Sequence, residues 1–163
     1  MTQQEAVEEH GSFQCACGDL TLCGDIEPTC IIDPTCPPSN IIPSCTDFWV
    51  EVKWEIYGTV VPLMAGDFKV TAAFEAIGAS GPNTSVSDKV PVLSGKYSTG
   101  SKEGPERDYK DRLLIKNSTN LLPPGVYLLV AYITYTDANG NPGPIAGMSD
   151  EKFVEIFPKP PSS

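Results

Sequence analysis

Apolar residues occupy every second position from Phe48 to Ile56, and the residues at positions 51, 53 and 55 between them are charged. The same pattern recurs at residues 68–76. Because successive side chains of a strand point to opposite faces of a sheet, a period of two predicts a strand with one buried face and one face toward water. This alternation constrains the fold class more than any other feature of the chain.

Four further segments are rich in β-branched and aromatic residues and predict strands at residues 89–97, 109–116, 125–136 and 152–157. Pro91 places the first of these at a sheet edge or a bulge, and both faces of the long segment 125–136 are expected to be partly covered. Residues 98–106 are polar and predict a surface loop. The 14 glycines and 16 prolines favour short strands joined by turns over long helices. We therefore predict an all-β fold, a single antiparallel β-sandwich of about seven strands over residues 46–158, with a short tail at 159–163.

Residues 122–127 (LPPGVY) lead directly into the long predicted strand. This segment resembles the corner before strand F in immunoglobulin-like and fibronectin type III-like sandwiches, where a tyrosine hydroxyl bonds back to the upstream backbone. The resemblance implies that Tyr127 forms a structural corner and that the body is immunoglobulin-like. Trp54, on the apolar side of its strand, is a better core candidate than Trp49, and the cysteine pair of antibody domains is absent. A resemblance of this kind implies a scaffold or interaction module and no particular reaction.

All six cysteines lie in the first 45 of the 163 residues: Cys15, Cys17, Cys23, Cys30, Cys36 and Cys45. No disulfide can therefore join this segment to the remainder of its own chain, and any bridge lies within residues 15–45 or between two chains. The last three cysteines each stand two residues after a proline, which restricts the backbone to extended geometry. We predict that residues 1–45 form an extended arm rich in cysteine and proline.

The arm is also where the charge lies. Residues 1–52 contain nine acidic residues and no lysine or arginine, while the whole chain has a formal net charge of −10. Because a nucleic-acid partner requires a cationic surface, this balance argues against nucleic-acid binding. No apolar run is long enough for a membrane span. The N-terminus lacks the basic start and apolar stretch of a secretory signal, so we expect synthesis in the cytoplasm.

Three hypotheses account for the cysteines. A zinc site is one, but the spacings lack the Cys-x-x-Cys hairpin of structural zinc sites and the chain has a single histidine, His10. Disulfides within the arm are the second, and six cysteines permit fifteen pairings among which the sequence does not choose. The third is crosslinking between chains. Disulfides require an oxidising environment, which an assembly built in the cytoplasm and exposed later would meet.

Residues suited to catalysis are few. A single histidine leaves no Ser-His-Asp triad within one chain, and no phosphate-binding or dinucleotide-binding motif occurs. The acidic and amide residues at positions 137, 139 and 141 resemble the start of a calcium loop, but Pro142 occupies the place of the required glycine, so a turn is the better interpretation. We predict no enzymatic activity, no catalytic residues and no cofactor.

These observations favour a non-enzymatic structural or assembly protein. In this hypothesis the β-sandwich supplies the body, and the cysteine-rich arm contacts neighbouring copies or a protein partner, with disulfide crosslinks between subunits. The alternative is a metal-binding or ligand-binding module whose arm folds around zinc.

Overall fold

A computed structural model describes residues 11–17, 20–26, 30–32, 40–78, 83–102 and 104–158. These residues form short 3-10 helices at Val61–Leu63, Val92–Ser94 and Asn117–Thr119, and twelve strands. The strands are β1 (Gly11–Cys17), β2 (Leu20–Ile26), β3 (Cys30–Ile32), β4 (Ile41–Pro43), β5 (Phe48–Tyr57), β6 (Asp67–Ala76), β7 (Thr84–Pro91), β8 (Lys96–Lys102), β9 (Gly104–Ile115), β10 (Gly125–Thr136), β11 (Pro142–Met148) and β12 (Lys152–Phe157). The expectation of an all-β chain is confirmed.

The strands form two six-stranded sheets. The first sheet has the order β1-β2-β5-β9-β8 with β3 also on β5, and the second has the order β4-β12-β10-β6-β7 with β11 also on β10. Strand β5 pairs along its length with β9 on one side, and on its other side with the two short strands β2 and β3, one after the other. Strand β10 pairs in the same way with β6 on one side and with β12 and β11 on the other. The described pairings are antiparallel except that β4 runs parallel to β12, a departure from the purely antiparallel sandwich that we predicted.

The two sheets pack face to face and enclose one apolar core. The Phe48 ring on β5 meets the Phe74 ring on β6 edge-on at 6.1 Å, and Trp54 meets Phe68 in the same way at 5.9 Å. Trp54 is 2% exposed and stacks on Tyr109 with 5.0 Å between ring centroids, which confirms its predicted core position. Edge-to-face and offset stacked rings are the preferred aromatic geometries. The fold is therefore a β-sandwich.

The described parts of residues 1–45 are strands of these same sheets. Strand β2 extends the first sheet beyond β5, and β4 extends the second beyond β12. The side chains of Ile26 and Ile42 are fully buried among those of the body. Residues 1–10, 18–19, 27–29 and 33–39, like the predicted tail at 159–163, lie outside the described residues. The division of the chain into an arm and a body at residue 46 stays a prediction, and the shared core provides the means to test it.

Two local predictions are wrong. Residues 98–106 do not form a loop, because β8 and β9 pair up to a tight hairpin in which Lys102 lies opposite Gly104. The predicted strand at residues 89–97 is instead the end of β7, a 3-10 turn and the start of β8. Pro91 is the last residue of β7, an edge strand of the second sheet, which is where a residue without a backbone N–H donor is tolerated.

Candidate interaction surface

Four of the six predicted crosslinking cysteines lie on strands near the edge of the first sheet. Cys15 pairs in register with Leu22, and Cys17 pairs with Leu20. Cys23 lies opposite Gln14 on one side and Tyr57 on the other, while Cys30 lies opposite Glu51. In these registers no two cysteines stand directly across from each other. Cys36 lies outside the described residues.

Cys45 lies between β4 and β5, where the chain passes from one sheet to the other. Its side chain is exposed and has no disulfide partner among the described residues. Its φ of 57° is in the left-handed region, which a non-glycine residue adopts at a modest cost and which turns the chain sharply at this point. The geometry presents this thiol to solvent.

Tyr127, the predicted corner residue, is fully buried at the start of β10. Its hydroxyl donates to the backbone carbonyl of Pro123, 2.5 Å away and four residues upstream. Burial raises the pKa of the phenol, so this oxygen keeps its proton and remains a donor. The predicted bond to upstream backbone is present, and its contribution to stability stays a prediction.

An ion cluster occupies the outer face of the first sheet. Glu51 is 8% exposed, and its carboxylate accepts a hydrogen bond from Nε of Arg112 at 2.9 Å. The ammonium groups of Lys53 and Lys110 lie 3.8 Å from the same carboxylate. Three cations around one buried carboxylate offset the cost of its desolvation, which gives this cluster a structural explanation.

Next to this cluster three carboxylates come together from two strands. Oxygen atoms of Glu55, Glu106 and Asp108 lie within 4.8 Å of one another, and Glu106 also accepts a hydrogen bond from Ser98 at 2.8 Å. Carboxylate oxygens suit a hard cation such as Ca²⁺ and not the thiol-bound zinc of the sequence hypothesis. The sequence did not indicate this cluster, because its members come together only through the pairing of β5 with β9.

Two further carboxyl groups meet where β7 of the second sheet approaches β9 of the first. Asp111 lies on the core-facing side of β9 opposite Val52, and its Oδ2 atom is buried with no hydrogen-bond donor among the described residues. Burial, together with a hydrogen bond to Asp88 and the charge of that residue, raises the pKa of Asp111 to about 6. Below about pH 6, a protonated Asp111 would share a carboxyl–carboxylate hydrogen bond with Asp88 between the two sheets.

The turn after β10 corresponds to the calcium-like segment of the sequence. Oδ1 of Asp137 accepts hydrogen bonds from the backbone N–H groups of Asn139 and Asn141, both at 2.9 Å. Gly140 has a φ of 83°, the left-handed conformation that the turn requires. A side-chain oxygen that accepts from N–H groups two and four residues further on is typical of an Asx turn, so the structure favours a turn here. The turn borders an open cavity of about 580 Å³ lined by charged and polar residues that include Asp67 and Asp88.

Apolar side chains cover much of the outer face of the second sheet. We call this surface the apolar face and define it by Val126, Leu128, Val130 and Tyr132 of β10, Met148 of β11 and Phe153 of β12. Cross-strand pairs join it, since Leu128 lies opposite Phe153 and Tyr132 opposite Met148. Phe153 is 63% exposed, Met148 53%, and Tyr132 and Val126 40% each, whereas Val130 between them is only 8% exposed. A contiguous apolar surface of this kind is typical of an interaction site.

Charged side chains frame the apolar face unevenly. Exposed Glu75 lies opposite Leu128, and exposed Glu155 lies opposite Val126. At the other end of the same strands, Lys69 lies opposite Thr134 and its neighbour across the sheet is Lys89. The apolar face therefore has one acidic end, and at its other end two lysines accompany one carboxylate, that of Asp67, which pairs with Lys89 at 3.3 Å.

No protein-family model matches this chain, and no curated protein matches it. Among solved structures, it is similar to a crystal structure described as the C-terminal domain of Wzt, with 14% sequence identity and a TM-score of 0.49. The alignment covers 90% of this chain and 78% of that one. Among the described residues, no helix is long and apolar enough to cross a membrane.

Proposed function

We propose that this chain is a non-enzymatic structural protein that associates with copies of itself, on a body of immunoglobulin-like type. The observation that carries the proposal is the apolar face of the second sheet. Six apolar residues from three strands form one surface there, and Phe153 and Met148 are more than half exposed. Leaving such a surface in water is unfavourable by about 25 cal/mol for each Å² of apolar area, so covering it favours association.

The hydrogen bond from Tyr127 to Pro123 supports the immunoglobulin-like part of this proposal, since that corner is a recurring feature of such sandwiches. Folds of this type serve as scaffolds for many functions, so the proposal on function depends on the surface and not on the fold.

The cysteine-rich segment supplies the covalent part of the proposed assembly. Cys45 presents an exposed thiol, and four other cysteines lie on β1, β2 and β3. A thiol such as that of Cys45, with no disulfide partner among the described residues, is available for a bridge to a second chain under oxidising conditions. We expect association through the apolar face to come first and crosslinks to lock it.

The test compares the native chain with Phe153→Asp and with Leu93→Asp as the matched control. Leu93 is 64% exposed, close to the 63% of Phe153, but lies on a 3-10 helix away from the apolar face. Sedimentation velocity in reductant should show a concentration-dependent dimer for the native chain and for Leu93→Asp, and monomer for Phe153→Asp. Zinc content of the reduced protein is measured in the same samples.

A native chain that stays monomeric in reductant at every concentration contradicts association through the apolar face. Equal weakening by both substitutions contradicts it as well. Stoichiometric zinc in the reduced protein replaces the crosslinking part of the proposal with a metal-bound segment.

A further inference from the structure

We propose that two copies of this chain pair through the apolar face about a two-fold axis that lies in the interface and crosses β10 at Ala131, with the strands of the two copies running in opposite directions. This inference rests on the proposed self-association and adds its geometry. The occupant of the apolar face is then the same face of a second copy.

The first argument is the polarity of charge along β6. Glu75 and Lys69 are both exposed on the outer face of this strand, six residues apart, which is about 20 Å at the rise of an antiparallel strand. Neither forms an ion pair with another described residue. Lys89, which lies opposite Lys69 across the sheet, pairs with Asp67 at 3.3 Å, so Lys69 is the cation at this end that has no ion-pair partner among the described residues. Glu75 has no such partner at the other end of β6, so each of these two residues lacks an opposite charge.

A two-fold axis across the strands supplies that missing charge. It reverses the strand direction and places Glu75 of one copy over Lys69 of the other, twice in the same interface, as an isologous contact requires. An axis parallel to the strands would instead bring Glu75 of one copy toward Glu155 of the other, because both lie at the same end of the sheet. The charges therefore select the arrangement with reversed strands.

The apolar residues are compatible with the same axis. Residues equidistant from Ala131 exchange places, so Tyr132 of one copy lies over Val130 of the other. Phe153, at the level of Leu128, comes to the level of Thr134, where β11 offers the small side chain of Ala146. A large aromatic over a small residue lets two faces interdigitate without a clash.

The size of the surface sets the expected strength. The paired surface is about four strands wide, which is roughly 19 Å at about 4.8 Å per strand, and it is nine residues of β10 long, which is roughly 27 Å. The area covered on each copy is therefore on the order of 500 Å². This lies at the small end of specific interfaces, so we expect a reversible dimer that forms at micromolar concentrations and above. Since each copy carries a net charge of −10, the measurement belongs at physiological ionic strength, where that repulsion is screened beyond about 8 Å.

The experiment is a charge exchange in the full chain kept in reductant. Glu75→Lys and Lys69→Glu are each expected to raise the dimer dissociation constant by about tenfold, because each converts two attractive pairs into two repulsive ones. The double variant Glu75→Lys/Lys69→Glu restores both pairs and should return to within about twofold of the native value. Lys116→Glu, an exposed reversal after β9 of the first sheet, is the matched control.

A zero-length carbodiimide, which joins a carboxylate to an amine with loss of water, gives a second readout on the native chain. In a mixture of ¹⁴N and ¹⁵N protein, a mixed-label peptide linking Glu75 to Lys69 is expected. If the double variant fails to recover, or the crosslink is absent while Phe153→Asp still disrupts the dimer, then self-association stands and the two-fold arrangement is wrong. If Phe153→Asp has no effect either, both the arrangement and the proposed function are wrong.

Discussion

Replacing Asp111 by asparagine probes the carboxyl pair that joins the two sheets. In the folded protein burial and Asp88 raise the pKa of Asp111 from 3.8 to about 6, which means that the fold disfavours the ionised form. A carboxyl with a raised pKa contributes its full stability below the unfolded pKa near 4 and loses it as the pH rises to about 6. At neutral pH the native chain therefore carries a penalty that asparagine, with an uncharged donor of similar size, removes.

The magnitude follows from the size of the shift. About two pKa units correspond to about 3 kcal/mol for a group fully shielded from water. Asp111 is only partly buried, and solvent screening reduces the figure to about 1–2 kcal/mol. We expect Asp111→Asn to raise the free energy of unfolding by that amount at pH 7 and to leave it unchanged or slightly lower at pH 4.

Urea unfolding of the native chain and the variant at several pH values between 4 and 8 measures this difference directly. Glu151→Gln, at an exposed position between β11 and β12, controls for the loss of one negative charge. Asp88→Asn should weaken the pH dependence without abolishing it, because it removes the repulsion while burial, the largest cause of the raised pKa of Asp111, remains. A difference between native chain and Asp111→Asn that does not vary from pH 4 to pH 8 would refute the shared-proton argument.

Three further substitutions test the packing. Tyr127→Phe should lower the free energy of unfolding by about 1–2 kcal/mol through loss of the bond to Pro123, whereas Tyr132→Phe, with an exposed ring, should change it little; equal effects in a urea titration would remove the corner assignment. Ile42→Ala should cost about 2–4 kcal/mol if β4 belongs to the common core, and a cost near zero would support an independent body from residue 46 onward. Gly95→Ala should lower the thermal midpoint, since the added methyl would lie 2.4 Å from the buried Tyr109 ring; an unchanged midpoint would show that this ring can move aside.

The strands that the sequence predicts well are those with strong local patterns. Residues 48–57 and 125–136 match β5 and β10 to the residue, because alternation or a long run of β-formers determines the strand before any partner is known. Strand β11 contains two prolines and two glycines among seven residues and shows no such pattern. It is a strand because β10 offers it a free edge, and that information is not local in the sequence.

The candidate surface depends even more on context. The long run of apolar residues at 125–136 predicts a strand with both faces partly covered but does not say which face stays open, and the structure leaves Val126 and Tyr132 on the outer face 40% exposed. Apolar residues stand on both faces of β10, so residue type alone does not show which of the two faces the other sheet covers. Asp88 and Asp111 are likewise unmarked in the sequence, because they meet only where an edge strand of one sheet comes against the other sheet.

The N-terminal third connects the chemistry of the cysteines to the stability of the body, although the body contains no cysteine. Strand β2 pairs with β5 through backbone hydrogen bonds, β4 pairs with β12, and Ile26 and Ile42 complete the core. Because Cys23 lies on β2 and Cys45 follows β4 by two residues, a bridge at either position constrains a strand that is paired with the body. Such a constraint changes the free energy of the unfolded state as well as that of the folded state. Whether it raises or lowers the free energy of unfolding depends on whether the bridge fits the strand geometry. Oxidation that joins two copies should therefore also change the unfolding midpoint of each body, and the two effects should appear and disappear together with reductant.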